Sequence, residues 1–484
     1  MIALRRGESR HTRPADPLGG VIQQERTDLF GFLLNLTLVI YLVLNRLIPD
    51  VFVLPVGLSI RPWEPVLGLL AILWFLWLIV DPKPLPRGAL GLIALALLIV
   101  LVLAYFWNAP GYTEFEMQAS RRGLLRVFLY SALFVASYHV ATDLGAARRI
   151  LILIPILTAV QGTIAIFEFV TKQRAVFLYH IWTALGLIED PSGIRGFSVG
   201  FKERLSGLTK VESTAPHPIT LSALLAMGVL LTLVLYLHTR RHKRLLAVLL
   251  VPQVLALPVT NSRTGFFILI LGGLGIGLLQ VRKWPRTLSL GLGMIGLMGI
   301  AFVISPQTTG LLADSVTQPE RDPNIVVRLT RAEMVPDLMS ERPLIGPGYL
   351  TTDVNQVLFD NAYYLGLLEL GVLGFLLLIS FFLLCLARSV GALSRAGPAE
   401  HPVVLAGALG VFCIFLGGAA FDAWTFDQFF PTCLILLGIG VGRADIVFRR
   451  RSDQTRQARG DIESAGDGRS RTSGPRRYGG TRPM

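Results

Sequence analysis

Apolar runs of about 17–24 residues recur along this chain, and they leave it few folds. A bilayer core of ~30 Å takes about 20 apolar residues of helix, whereas a helix of a water-soluble domain shows an apolar stripe on one side only. The runs lie near 29–48, 64–80, 89–107, 123–141, 149–171, 218–238, 245–260, 265–281, 287–305, 362–387, 402–421 and 428–444. The chain is 52% hydrophobic and 16% charged, with a mean hydropathy of +0.59. These features predict an all-α polytopic membrane protein with about twelve transmembrane helices. Pro252 and Pro258 interrupt the short run 245–260, so hydropathy alone also accommodates ten or eleven.

The net charge of +13 is explained by where the cations fall. They gather in the N-terminal segment (Arg5, Arg6, Arg10, Arg13, Arg26), at 240–244, at 281–284 and at 448–451. An even number of spans puts all four groups on one side, with both termini cytoplasmic, as the positive-inside rule requires. The expected location is the cytoplasmic (inner) membrane, with the lipid bilayer as first partner and no role in binding nucleic acid. Residues 1–28 form a basic segment without the apolar core of a cleavable signal. Residues 29–444 make the transmembrane domain, and 445–484, rich in Arg, Gly, Ser and Asp, read as a disordered basic cytoplasmic tail. The three cysteines, Cys385, Cys413 and Cys433, lie inside apolar runs and give neither a disulfide framework nor metal spacing.

Two connections, 172–217 and 306–361, are too long for turns, and both come out on the extracytoplasmic side. Arg263 falls on that side too, in the short break between two apolar runs. Cations are disfavoured there by topology, and a guanidinium offers a fork of donors to an anionic group such as a lipid-linked diphosphate. The alternative class is a secondary solute transporter, for which twelve spans are also common. Transporters place ionisable groups and broken helices near mid-membrane, whereas these runs carry almost no acids at their centres.

Four segments stand out: 203–227 with Arg204, Gly207, His217 and Pro218; 260–270 with Ser262 and Arg263; 328–350 with Arg328, Pro343, Gly346 and Gly348; and 360–376 with Asp360, Asn361, Tyr363, Glu369 and Gly371. In order and spacing they resemble the O-antigen ligase and polymerase superfamily of bacterial membrane glycosyltransferases, over roughly 195–380. The resemblance implies a GT-C-like fold. It implies transfer of a glycan from a polyprenyl diphosphate-linked oligosaccharide to a hydroxyl of an acceptor glycan outside the cytoplasmic membrane, without cofactor or metal. A flippase and a chain-length regulator would be further partners. Arg204 and Arg263 would hold the diphosphate, with Arg328 a third candidate, and fixed cations would favour the leaving group as its charge grows. Ligases of the family carry His where this chain has Asp360. A carboxylate can take the acceptor's proton instead, which tilts the expectation toward a polymerase over a ligase. His217 and His180 are alternative bases, and Asn361, Tyr363, Glu369, Gly346 and Gly348 support the site.

Each residue also has a plainer reading. Asp360 can cap the helix after it, His217 can mark a helix start before Pro218, and Arg263 can reach lipid phosphate. Gly346 and Gly348 suit a tight turn. Glu369, about two turns into a span, needs either an arginine partner or structural hydrogen bonds.

Overall fold

Three helix starts are written locally in the sequence. Thr113 and Glu116 form a reciprocal capping box: the Glu116 amide donates to Thr113 Oγ1 at 3.2 Å, and the Thr113 amide to Glu116 Oε2 at 2.8 Å. His217 Nδ1 accepts the Ile219 amide at 3.2 Å, with Pro218 in the first helical position. Asn361 Oδ1 accepts the amides of Tyr363 and Tyr364, at 2.9 and 3.3 Å.

The computed structural model describes residues 17–49, 60–80, 86, 88–171, 184, 211–239, 242–280, 296, 299, 323–352 and 359–470. Among them are α1 (Pro17–Leu47), α2 (Glu64–Val80), α3 (Ala89–Asn108), α4 (Glu114–Val140), α5 (Leu144–Thr171) and α6 (Pro218–His238). There follow α7 (Lys243–Val259), α8 (Arg263–Leu279), α9 (Pro323–Ser340), α10 (Ala362–Leu393), α11 (His401–Ala420) and α12 (Phe429–Ser470). Eight of these helices are long and apolar enough to cross a membrane, and the chain is a multi-pass membrane protein. Helices α2 and α8 are apolar but shorter, α7 carries Pro252 and Pro258, and α9 is the one polar helix within an expected loop. Apart from residues 296 and 299, the span expected at 287–305 lies outside the described residues, as does most of the loop expected at 172–217.

α12 is the axis of the bundle. Its apolar window is 94% buried, against 17% for the peripheral α3. It packs on α4, α10 and α11, while α11 reaches α6, α8 and α10. Small residues set that closeness: a Cβ on Gly440 would stand 2.2 Å from Gly407 Cα, so α11 and α12 cross backbone to backbone. Polar groups lace α5, α6 and α7 together beside the prolines of α5 and α7. Gln253 Nε2 donates to Pro155 O at 2.8 Å, and Thr232 Oγ1 to Gln253 Oε1 at 3.0 Å.

The helices alternate, so their ends sort into two sets. One end gathers the connections at 109–113, 211–217, 260–262, 341–352 and 421–428; we call it the loop end. The other gathers 141–143, residues 239 and 242, and 394–400, with Arg388, Arg443 and Arg450 paired to Asp445 and Glu400. Helix α8 leaves the loop end, and α9 lies at that end again.

The final helix departs from expectation. Residues 445–470, expected as disordered tail, continue α12. Asp445, the first residue past the apolar run, is buried and accepts from Tyr138 Oη at 2.8 Å and from Arg388 Nη1 at 2.5 Å, which ties the helix into the bundle at that point.

Candidate functional site at the loop end

The connection between α11 and α12, Phe421–Gln428, carries two carboxylates among four apolar residues. Asp427 is only 4% exposed and is held by Arg61, by Arg126 Nη1 at 3.2 Å and by Tyr130 Oη at 2.7 Å. Asn45 Nδ2 donates to its carbonyl at 2.8 Å, and Gln428 Nε2 to Thr214 O at 2.9 Å. This connection therefore ties α1, α2, α4 and the lead into α6 together. Asp422 is different. Thr425 Oγ1 donates to its Oδ2, but its Oδ1 is withdrawn from solvent with no hydrogen-bond partner. Burial pushes its carboxyl well above the usual range; the Thr425 hydroxyl opposes this, and the carboxylates of Glu369 and Asp360 add to it.

Facing this connection, α10 is broken. Gly371 has φ 67° and ψ 176°, a conformation open to glycine almost alone. The break exposes backbone groups that the segment Pro343–Gly348 satisfies. Gly348 N donates to Glu369 O at 2.8 Å, Val372 N to Pro343 O at 2.9 Å and Leu373 N to Leu344 O at 3.2 Å. A Cβ on Gly346 would lie 2.3 Å from Glu369 O. Gly346 is thus required for close approach to the broken helix, rather than for a tight turn as its sequence context suggested. Gly348, at φ 117°, does make a turn. The segment is clamped from behind, where Asn108 Nδ2 donates to Gly346 O at 3.1 Å, Tyr112 Oη to Pro347 O and Tyr349 Oη to Trp424 O at 2.6 Å.

Glu369 takes the second of its two readings. It accepts the backbone amides of Leu350 and Thr352, the latter at 3.3 Å, and so fixes the same segment. Tyr363 points inward, donating to Phe415 O at 2.8 Å with its ring against Trp424 and Phe375. Because Asn361 caps α10, the Asp360 carboxylate is not used in capping. It stands 41% exposed, 4.0 Å from Arg331 Nη1. Arg328, on α9, donates from Nη2 to Ala420 O at 2.8 Å, satisfying a carbonyl left over at the end of α11. Apolar contacts of Val335 and Met339 with Phe359, Tyr364, Leu365 and Leu368 hold α9 in place.

Asp360, Asn361, Tyr363, Glu369, Gly346, Gly348 and Arg328 thus form one neighbourhood around the start of α10. His217 and Arg263 form another: His217 caps α6, Arg263 is the first residue of α8, and Ser222 Oγ donates to Ser262 Oγ at 2.9 Å between the two helices. Both neighbourhoods sit at the loop end and share α11 as a neighbour. Arg204 and His180 lie outside the described residues. No cluster of metal ligands occurs among the described residues.

Sequence reasoning missed Arg61, Arg126, Asp422 and Asp427. Arg126 gave a signal, standing within an apolar run where a cation needs a partner. It also missed Arg46, fully buried at the end of α1, which donates from Nη2 to Thr158 Oγ1 at 2.8 Å while its Nε and Nη1 are buried without partners. Neither the protein-family models nor the curated proteins compared with this chain match it.

Proposed function

We propose that this protein is a membrane glycosyltransferase of the O-antigen ligase and polymerase type, with a GT-C-like arrangement of about twelve spans. It moves a glycan from a polyprenyl diphosphate to an acceptor glycan, and polymerises a surface polysaccharide. In this reading the loop end faces outward and both termini are cytoplasmic. The observation that carries it is the Asp360 carboxylate, relieved of capping by Asn361 and set beside Arg331 at the solvent-facing start of α10. Asp360 takes the proton of the acceptor hydroxyl as its oxygen bonds to the anomeric carbon. The bond from that carbon to the diphosphate breaks, and the electron pair leaves with the diphosphate. Arg263, Arg204 and the α9 arginines receive the charge, with Arg331 joining Arg328 as a candidate.

The test is turnover of lipid-diphosphate oligosaccharide by purified protein, with Arg263→Ala and Asp360→Asn alongside. A product ladder lost in both variants supports a polymerase, and a single shifted product supports a ligase. Absence of any turnover by the wild type refutes the proposal.

One observation favours a solute transporter. Arg46 is a cation inside the helix bundle with unsatisfied donors, the kind of group that binds an anion in transit. If so, Arg46→Met abolishes anion uptake into proteoliposomes; a glycosyltransferase predicts no such uptake by wild type.

A further inference from the structure

Two arginines stand on the lipid-facing side of α4. The capping box at Thr113 fixes where this helix starts, and Arg121 and Arg122 follow about two turns in. Both are exposed, and so are Leu125 (59%) and Phe128, one to two turns deeper. Arg121, Leu125 and Phe128 fall at spacings of four and three and share one face, while Gly123 and Tyr130 are buried on the other. The helix length gives the level of the pair. Val140 ends α4 18 residues beyond Arg122, about 27 Å of helix against ~30 Å for a bilayer core. A second mark agrees with it. Arg121 Nε donates to Tyr105 Oη at 3.2 Å, beside Phe106 and the 79% exposed Trp107 at the end of α3. Exposed Trp and Tyr gather where the hydrocarbon core meets the headgroups.

No acid of the protein neutralises the pair. Among the described residues no carboxylate oxygen comes within 4.0 Å of either guanidinium. The acids around this part of α4 are committed elsewhere: Asp427 and Glu64 to Arg126, and Glu116 to Arg342 and the Thr113 amide. Glu114 stands two turns nearer the helix start. Two adjacent guanidinium groups at the level of the headgroups complement a phosphate, to which each offers a fork of donors. They offer nothing to an ammonium, and that separates anionic headgroups from zwitterionic ones.

We infer that Arg121 and Arg122 bind the phosphate of an anionic phospholipid whose chains lie along Leu125 and Phe128. The long side chains let the cations reach the phosphate while their stems stay against lipid. The inference is independent of the reaction proposed for the loop end, and of which way that end faces, since phosphates line both leaflets.

Full-length protein in detergent is titrated with phosphatidylglycerol, phosphatidylethanolamine and phosphatidylcholine of identical chains, and bound lipid is counted by native mass spectrometry. The glycerol lipid is expected to bind about tenfold more tightly than either of the others. The double variant Arg121→Gln, Arg122→Gln should bring all three within about twofold. Arg122→Gln alone gives up no hydrogen bond or ion pair within the protein, so it should melt as wild type does and still lose about threefold of the preference. Arg149→Gln removes an equal charge from an exposed site at the opposite end of the bundle and should leave the preference intact. Equal binding of the three lipids overturns the inference. So does a preference that survives the double variant, or one that falls as far in Arg149→Gln, which would mark attraction to net charge alone. Soluble glycerol phosphate at the same concentration should not displace the lipid; displacement would mean a site for free phosphate instead.

Discussion

The break in α10 can be tested by adding one carbon atom. In Gly371→Ala the backbone must hold φ 67° and ψ 176°, which costs a residue with a side chain about 1–3 kcal/mol. The new Cβ would also sit 2.6 Å from both Gly346 N and Leu344 O, backbone atoms that cannot rotate away. Overpacking of that kind costs about 1–3 kcal/mol more. If the chain relieves the clash by expelling Pro343–Gly348, it loses three backbone hydrogen bonds worth about 1 kcal/mol each, so this escape is no cheaper. The total is about 2–6 kcal/mol. Over 484 residues, at an unfolding entropy of about 2.1 cal/mol/K each, 1 kcal/mol moves Tm by about 1 °C. A drop of about 2–6 °C should follow. Cys385, Cys413 and Cys433 are all buried, so a thiol-reactive fluorophore reads unfolding directly. Gly68→Ala is the control: its Cβ meets nothing within 4 Å inside α2, and helix propensity predicts a gain of about 0.5–1 kcal/mol. Equal melting of the Gly371 and Gly68 variants would refute the idea that glycine is needed to seat the segment in the broken helix.

Asn361→Ala should cost about 1 kcal/mol as a lost cap, whereas Asp360→Asn should leave Tm unchanged and lower glycan turnover about 10²–10⁴-fold; melting curves and initial rates on the same samples separate the two. Asp427→Ala should destabilise by about 3 kcal/mol, at the low end for a broken buried pair because Arg61 and Arg126 retain some solvent contact, and expression with Tm reports it. Asp422, with its carboxyl raised by burial, contributes stability that is full below its ordinary value near 3.8 and is lost as pH rises through the raised value. Tm of wild type should therefore fall across that range on raising pH, and Asp422→Asn should flatten the dependence; an unchanged slope would contradict it.

The helical framework was legible because bilayer thickness and apolar run length are nearly the same information. The run at 64–80 is Glu64–Val80 in the structure, and that at 218–238 is Pro218–His238. Charge read less well. Arg126 and Asp427 lie 301 positions apart, and nothing local to either says that they meet; only the packing of α4 on α12 brings them together. The continuation of α12 past its apolar run was hidden for a related reason, since Asp445 meets Tyr138 and Arg388 on other helices.

The supporting residues illustrate a further limit. Gly346, Glu369 and Gly371 were conspicuous as types, a small residue in a loop and a carboxylate and a glycine in a span, yet each type admits several roles. The break in α10 selects among them. It needs glycine at both crossing points, and it leaves the Glu369 carboxylate facing the amides of Leu350 and Thr352 as the segment turns away. A helix broken here, with its backbone groups satisfied by an inserted segment, offers main-chain partners where an unbroken helix would present only side chains. It holds the start of α10, and with it Asp360, against the connection that carries Asp422 and Asp427. The geometry of such a site resides in the backbone, so substitutions at Gly346 or Gly371 should disturb Asp360 and Asp422 together, although neither glycine touches either carboxylate.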